Sequence, residues 1–582
     1  MMTSMRNENI YKDLFLEWCE GLYENMIFVK GTVEDDCGFY CPSCRRVHGR
    51  DDNAIYPFML AYEITGEDKY LTAAKLLFKA HKNNLCPNGS LINGGSSSWN
   101  GITVFSALLL LLTLDEFGHL LTEEEKKEWE SRVHLMCDWL YDHMGTGYAA
   151  NINYRAGNAA CMIVAGQYFG EERYLGLADD LFENMMEHLT ENGLVFGEGF
   201  PVDLTSPKGC RAVDIGYNWE ETVPLLTLYA HRKGTPEARE KMLKVMRDHL
   251  WFVNPDGSID NSFGSRSFKW SYWGSRTADG CSKAYAVFAK DEDPVFAEAS
   301  YRNTEMMKKC TFAKLLAGGP QYKEYGEKPC IHHTFCHAAG LVQAVKKGIK
   351  APMESTPLPI EELEGYKYFP ELDTYRIHSN GYTATITGYD VDHQKGHATG
   401  GTLTYLYNEK DGVILLSSLV DYRPVEAGNM QLSLTHPTRG SSLTPRAEVI
   451  IDESKPNLPK KTRYSPVHDP AATIEAREED GKVMITAKAQ FLSLTGVPMP
   501  EPLFATTVHT FAPEGYSCET TLSRPCEDAR YVIPVISDTA TFGTDGEVTG
   551  CETVFNLTGG FGANAHSIKF NPDGKVKVWI NK

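Results

Sequence analysis

Five short stretches of this chain concentrate side chains that can do chemistry. Asn151-Ile152-Asn153-Tyr154-Arg155-Ala156-Gly157-Asn158 sets three amides and an arginine just ahead of a helical period. Amides in that place serve as turn and capping groups, and an amide such as Asn153 can equally hydrogen-bond the carboxylate of a bound molecule. The second stretch runs Gly197-Glu198-Gly199-Phe200 and continues at Asp214-Ile215-Gly216-Tyr217-Asn218-Trp219-Glu220-Glu221. It holds the carboxylates Glu198 and Asp214 in neighbouring loop segments and Tyr217 near a helix start. A buried carboxylate with a raised pKa can act as a general acid. The alternative is that Asp214 caps the helix while Glu220 and Glu221 form a solvated first turn.

In the third stretch, from Phe263 to Arg276, the aromatics Phe268, Trp270, Tyr272 and Trp273 alternate with Arg266, Lys269 and Arg276. An apolar core would not choose this mixture; aromatic faces beside polar forks suit sugars and carboxylates. Arg266, Trp270, Trp273 and Arg276, with Arg50 and Arg155, are the candidate binding residues. The fourth stretch, His332-His333-Thr334-Phe335-Cys336-His337, stands before the last helix of its half, where a neutral imidazole such as His333 can be a general base. The fifth is Cys37-Gly38-Phe39-Tyr40-Cys41-Pro42-Ser43-Cys44 with His48 behind it. Its spacing has the local character of a zinc knuckle without a distant second half. Cys37, Cys41, Cys44 and His48 are therefore candidate ligands of a structural zinc, with free thiols as the alternative. A glycine-rich loop, Lys395 to Gly401, could carry His397 over the mouth of a neighbouring cavity.

These residues need a scaffold, and a repeat supplies it. Thr65-Gly66-Glu67-Asp68-Lys69-Tyr70-Leu71 with Ala74 returns as Phe169-Gly170-Glu171-Glu172-Arg173-Tyr174-Leu175 with Ala178, at one offset. Each copy reads as a helix, a glycine stop and a second helix coming back. Helical hairpins of this kind bury their faces by stacking on neighbours. Apolar periodicity and stop signals predict twelve helices over 8–28, 52–64, 67–83, 100–117, 122–143, 154–169, 171–190, 217–231, 236–251, 277–290, 293–314 and 333–348. Thr122 to Glu125 forms a capping box and Pro236 opens a helix. The expected fold class is α+β and multidomain: an (α/α)6 toroid over residues 1–350, a Pro- and Glu-rich linker over 351–364, and an antiparallel β-sandwich over 365–582. Alternation over 382–387, and a hairpin turning at Asn408 to Gly412, mark the sandwich.

Bulk properties narrow the function. The chain has 582 residues, 42% hydrophobic, and a net charge of −20. Such a field disfavours nucleic acid and anionic membranes as partners, and leaves room for a small anion in a locally basic pocket. The apolar run Val104 to Leu114 reads as too short to span a bilayer. No apolar segment follows Met1, and the 15 scattered cysteines read as reduced thiols, so a cytoplasmic location is expected. A homo-oligomer is compatible with the sequence.

A toroid of helical hairpins followed by an antiparallel sandwich resembles the uronate polysaccharide lyases, including the chondroitin/hyaluronate lyase and heparinase II/III-like families. Asn153-Tyr154-Arg155-Ala156-Gly157 is similar to the lyase segment that opens a toroid helix and neutralises the uronate carboxylate. The resemblance implies Asn153 as the neutraliser, Tyr217 as the catalytic tyrosine, His333 or His397 as the catalytic histidine and Arg266 or Arg276 as the accessory arginine. The tandem tryptophan of the chondroitin lyase segment is absent. β-Elimination fits this set: the C5 proton becomes acidic when the C6 carboxylate is neutralised, a Tyr or His removes it, and no cofactor is required. The expected substrate is a uronate-containing oligosaccharide cut from its end. The competing reading is an (α/α)6 glycoside hydrolase, a glucuronidase or unsaturated glucuronyl hydrolase, using Asp214, Glu198 or Asp279 as acid and base.

Overall fold

Two kinds of helix alternate along the first part of the chain. The computed structural model describes residues 6–28, 37–47, 49–93, 99–269, 272, 283–391, 396–420, 425, 442–454 and 460–581. In chain order the helices are α1 (Ile10–Glu24), α2 (Ile55–Thr65), α3 (Asp68–His81), α4 (Thr103–Phe117), α5 (Glu123–His143), α6 (Asn153–Phe169), α7 (Glu172–Met186), α8 (Ile215–Tyr217), α9 (Val223–Lys233), α10 (Pro236–His249), α11 (Ala284–Ala289), α12 (Pro294–Lys309), α13 (Ile331–Lys346) and α14 (Pro359–Glu362). α4 and α6 are buried at almost every position, whereas α3, α7 and α10 bury one stripe. Helices apolar all round belong inside and amphipathic ones outside, and the packing obeys this. α2 packs on α4, α4 on α6, α6 on α9, α9 on α11, α11 on α13, and α13 back on α2. That closes an inner ring of six. Around it α3, α5, α7, α10 and α12 pair with the inner helix just before each, and α1 pairs with α13. The expected (α/α)6 toroid is the observed one. The segment Thr103–Leu120 is long and apolar enough to cross a bilayer, more than its short apolar run suggested, but 78% of it is buried and it forms an inner stave of the ring.

Helix stops follow the glycines. Gly66, Gly170 and Gly234 end α2, α6 and α9 at φ 71°, 72° and 70°, each donating its N–H to the carbonyl four residues back. A Cβ at any of the three would meet nothing, so left-handed backbone, not crowding, selects glycine there. A second repeat follows the outer helices α3, α7 and α10. Leu85 bridges Leu91, Leu189 bridges Val195, and Val253 bridges Ile259 across Asn-Gly or Asp-Gly turns. These turns hand the chain back toward the next inner helix. The expected caps form: Thr122 and Glu125 make a reciprocal capping box, and Thr235 caps α10 ahead of Pro236. The expected helix over 217–231 is interrupted, with Asn218–Thr222 forming one π-helical turn between α8 and α9.

From residue 365 the chain is β. Strands Gly365–Phe369, Thr374–Ser379, Tyr382–Thr387, Thr402–Asn408 and Gly412–Leu416 form an antiparallel meander. A second five-stranded sheet runs in the order Lys461–Tyr464, Arg446–Asp452, Arg530–Val535, Phe561–Lys569, Glu547–Asn556. A third, six-stranded sheet carries Thr473–Glu479, Lys482–Gln490, Phe504–Ala512, Gly515–Leu522, Lys575–Ile580 and Phe542–Thr544. One apolar core draws on all three, with Ile377, Val449, Ile485, Phe511 and Ile533 among its members. The first sheet also docks on the ring. Arg376, fully buried, reaches Asp260 (2.8 Å), Asn254 (2.9 Å) and the Trp251 carbonyl (3.1 Å) in the turn after α10. Its burial is offset by these charge-assisted bonds.

Candidate active site

The first turns of the inner helices open on one side of the ring, and there a cavity forms. It is lined by Arg50, Asn93, Trp99, Ile102, Phe105, Asn153, Tyr154, Tyr217, Glu221, Arg266, Lys269 and His332. Arg50 leads into α2, Ile102 and Phe105 begin α4, Asn153 begins α6, Tyr217 closes α8, and His332 is the second residue of α13. Helix N-termini carry partial positive charge and orphan N–H groups, so this face of the ring favours an anion. Three cations stand in it within an acidic protein.

Tyr217 is held from behind. Asp214 caps the turn by accepting the Tyr217 N–H (2.8 Å), and its other oxygen accepts the Arg266 N–H (3.0 Å). One buried carboxylate thus fixes tyrosine and arginine relative to each other. The Arg266 guanidinium lies over the Tyr217 ring, 4.2 Å from its centroid, and is anchored to Glu198 at 2.5 Å. The Lys269 ammonium donates to the Tyr217 phenol oxygen at 3.0 Å. Asn153 Nδ2 donates to Glu221 at 2.5 Å. On the facing wall Trp99 donates to the Tyr154 hydroxyl at 3.0 Å, and the Arg50 guanidinium sits 4.9 Å from the Phe105 ring centroid.

Charge separates the two tyrosines. Burial and the Glu221 carboxylate push the Tyr154 phenol up, which keeps it protonated. Tyr217 has an ammonium at its oxygen and a guanidinium on its face, and both stabilise negative charge there. Burial raises Asp214 and Glu198 as well, against the N–H of Tyr217 in one case and Arg266 in the other.

The structure sorts the candidates from the sequence. Asn153, Tyr217, Arg50 and Arg266 line one cavity. Asp214 and Glu198 stand behind its wall as anchors, so the capping reading of Asp214 is the observed one. Glu220 and Glu221 are not a solvated turn: both are buried, because the π turn swings Glu221 into the cavity and Glu220 into the ring interior. His333 lies in the interior of α13, and its neighbour His332 faces the cavity in its place. Arg155 turns away and bonds Asn184 at 3.0 Å, since two residues along a helix rotate a side chain by ~200°. His397 stays in the sandwich, 2.8 Å from the Val391 carbonyl. Trp270, Trp273, Arg276 and Asp279 lie outside the described residues. Glu221, Lys269, His332, Trp99 and Tyr154 join Asn153, Tyr217, Arg50 and Arg266 in the lining, beyond the residues that the sequence singles out. Lys269 stood within the basic-aromatic stretch and His332 within the histidine pair, so the signal for both was present.

The cysteine set also changes. Cys37 and Cys41 begin and end one strand, Cys37–Cys41. Four residue steps along the strand set their Cα atoms ~13 Å apart, too far for two ligands of one ion. Cys41 and Cys44 instead meet Cys330, and His48 lies outside the described residues.

Comparison with known proteins gives the family. The family model described as ulvan lyase N-terminal domain matches residues 15–361, and that of the ulvan lyase C-terminal domain matches residues 366–549. A broad-specificity ulvan lyase of Formosa agariphila is 34% identical over 483 residues, covering 81% of this chain and 74% of that protein. The crystal structure of the Streptomyces coelicolor A3 chondroitin AC lyase superposes with a TM-score of 0.52 at 13% identity, covering 98% of this chain and 79% of the other. At that identity the likeness is one of fold. The hydrolase alternative gains no support, since both of its described carboxylates, Glu198 and Asp214, are spent on anchoring. Matched along both of its domains and by a relative 34% identical to it, the chain belongs to the ulvan lyase family and is a polysaccharide lyase.

Proposed function

We propose that the chain cleaves ulvan, the polysaccharide named for its relative, at a uronate residue, with Tyr217 transferring the proton. The observation that carries this reading is the Tyr217 phenol oxygen, held 3.0 Å from the Lys269 ammonium beneath the Arg266 guanidinium. The sugar carboxylate is met by Arg50, Lys269 and the second N–H of the Asn153 amide, the first being taken by Glu221. These donors stabilise the charge that builds on the carboxylate as C5 is deprotonated. Tyr217, as phenolate, takes the C5 proton. The C5–H electron pair forms the C4–C5 double bond, the C4–O4 bond breaks toward oxygen, and the phenol returns its proton to O4. His332, on the facing wall, orients the ring across the cavity.

The test is to mix the purified protein with ulvan and follow the ultraviolet absorbance of the unsaturated uronate. Absorbance rising in step with new reducing ends supports elimination; reducing ends without absorbance overturn it. The reading includes cutting from chain ends, which suits a cavity drawn from the starts of α2, α4, α6 and α13 around Tyr217 and Arg266. Chromatography of early products then gives one small species, and a ladder of lengths overturns this part.

A further inference from the structure

Two thiols of one chain reversal meet a third from far along the chain, outside the lining of the catalytic cavity. Cys330 Sγ lies 3.6 Å from Cys41 Sγ and 3.6 Å from Cys44 Sγ, and the three sulfurs all fall within 4.8 Å of one another. A disulfide sets two sulfurs ~2.05 Å apart, so no disulfide joins these three. A tetrahedral zinc with Zn–S ~2.3 Å sets its sulfurs ~3.8 Å apart, close to the observed spacing.

The chain around the sulfurs is shaped to the same end. The Cys44 backbone N–H points at Cys41 Sγ at 3.4 Å, a donor that suits a thiolate better than a thiol. The reversal is closed by the Arg45 N–H on the Cys41 carbonyl at 2.8 Å, and Arg45 takes φ 55°, a conformation side chains seldom adopt. The third sulfur comes from the N-cap of α13. This is the distant piece that the local cysteine spacing lacked.

The geometry points to a structural zinc ion held by the thiolates of Cys41, Cys44 and Cys330, with a fourth ligand from the adjoining chain. Soft sulfur donors select zinc over calcium or magnesium. Binding releases the three thiol protons, and Zn²⁺ undergoes no redox change. The ion would tie two segments that each carry part of the catalytic wall: Arg50 follows the Cys41–Cys44 reversal, and His332 follows Cys330 by two residues. It takes no part in the elimination and stands independently of the substrate reading.

Elemental analysis of the full chain, purified without chelator, is expected to give one zinc per molecule. Cys44→Ser and Cys330→Ser should lose it, whereas Cys37→Ser and the exposed Cys551→Ser should keep it. Two measurements on the unmodified chain cover the case in which a variant does not fold. Titration with an organomercurial should release zinc to a chromogenic chelator in step with thiol consumption. Cobalt exchanged into the protein should show sulfur-to-metal charge transfer and tetrahedral ligand-field bands. A folded chain that carries no zinc and takes up no cobalt overturns the proposal, as does a Cys330→Ser protein that retains full zinc.

Discussion

The ammonium of Lys269 rests 3.0 Å from the phenol oxygen of Tyr217, both side chains being almost fully buried. A buried cation at a phenol stabilises the anion that must form when that oxygen takes a proton. Lys269→Met should lower kcat by ~10²-fold, the loss typical of one preorganised donor, and raise KM, since the same ammonium meets the sugar carboxylate. Tyr217→Phe removes the proton acceptor itself and should lower kcat ~10²- to 10⁴-fold. Initial rates of unsaturated-product absorbance read both, and equal kcat for Lys269→Met and the parent would remove lysine from the mechanism.

Asn153 and Glu221 act as a pair. The carboxylate takes one N–H of the amide and so aims the other. Asn153→Ala should reduce kcat/KM by ~10²-fold, while Glu221→Gln should lose less, because Gln still accepts that hydrogen bond. Parallel steady-state kinetics on the two variants rank them, and the reverse order would show that Glu221 meets the substrate directly.

Glu198 supports Arg266 from inside the wall. Removing one member of a buried ion pair costs ~3–5 kcal/mol, so Glu198→Ala should unfold at clearly lower denaturant concentration. Glu198→Gln keeps an acceptor and should recover part of the loss. Denaturant midpoints with a shared m-value settle the comparison, and a Glu198→Ala midpoint equal to the parent's would mean that Arg266 is held by other groups.

Glu220 and His337 face each other 3.6 Å apart in the ring interior. Burial raises Glu220 to about 8 and lowers His337 to about 3, so both are neutral near pH 7. Between the ordinary glutamate value and 8, the unfolded chain gives up a proton that the folded chain keeps, and stability falls as pH rises. Between 3 and the ordinary histidine value, the unfolded chain binds a proton that the folded chain refuses, and stability rises with pH. The two slopes oppose each other in the overlap, so the uncompensated loss lies from about pH 6.5 to 8, at up to ~1.4 kcal/mol per pH unit. Urea unfolding at pH 6.5, 7.5 and 8.5 should show that decline in the parent and a flatter profile in Glu220→Gln. Equal slopes in the two proteins would mean that Glu220 is ionised in the fold.

The ring is legible in the chain because its signals are local. Glycines at 66 and 170, the Thr122–Glu125 box and Pro236 each report on one turn of backbone. Asn153, Tyr217 and Arg50 are legible because they gather at or just ahead of helix starts, where a toroid turns its chemistry inward, and Arg266 because its basic and aromatic neighbours do not suit a core. The phase of α13 is not legible. An inner helix is buried on every side, so apolar spacing gives no hint that His332 rather than His333 meets the cavity. Glu221 is hidden by the π turn, which shifts the angular position of every side chain after it. Cys330 is hidden by distance: 289 positions separate it from Cys41, and no local pattern spans that gap.

One outer helix has no sequence neighbour as its mate. Every other outer stave follows its inner partner directly, but α1 waits for α13. During synthesis its apolar stripe, with Phe15, Trp18 and Leu22, must stay unmatched until Lys346 has left the ribosome. The catalytic bowl therefore assembles last, when the two ends of the helical half are stitched together. Deleting residues before Asn25 should spare most helix content yet leave the bowl unsealed, and circular dichroism beside activity would show the split.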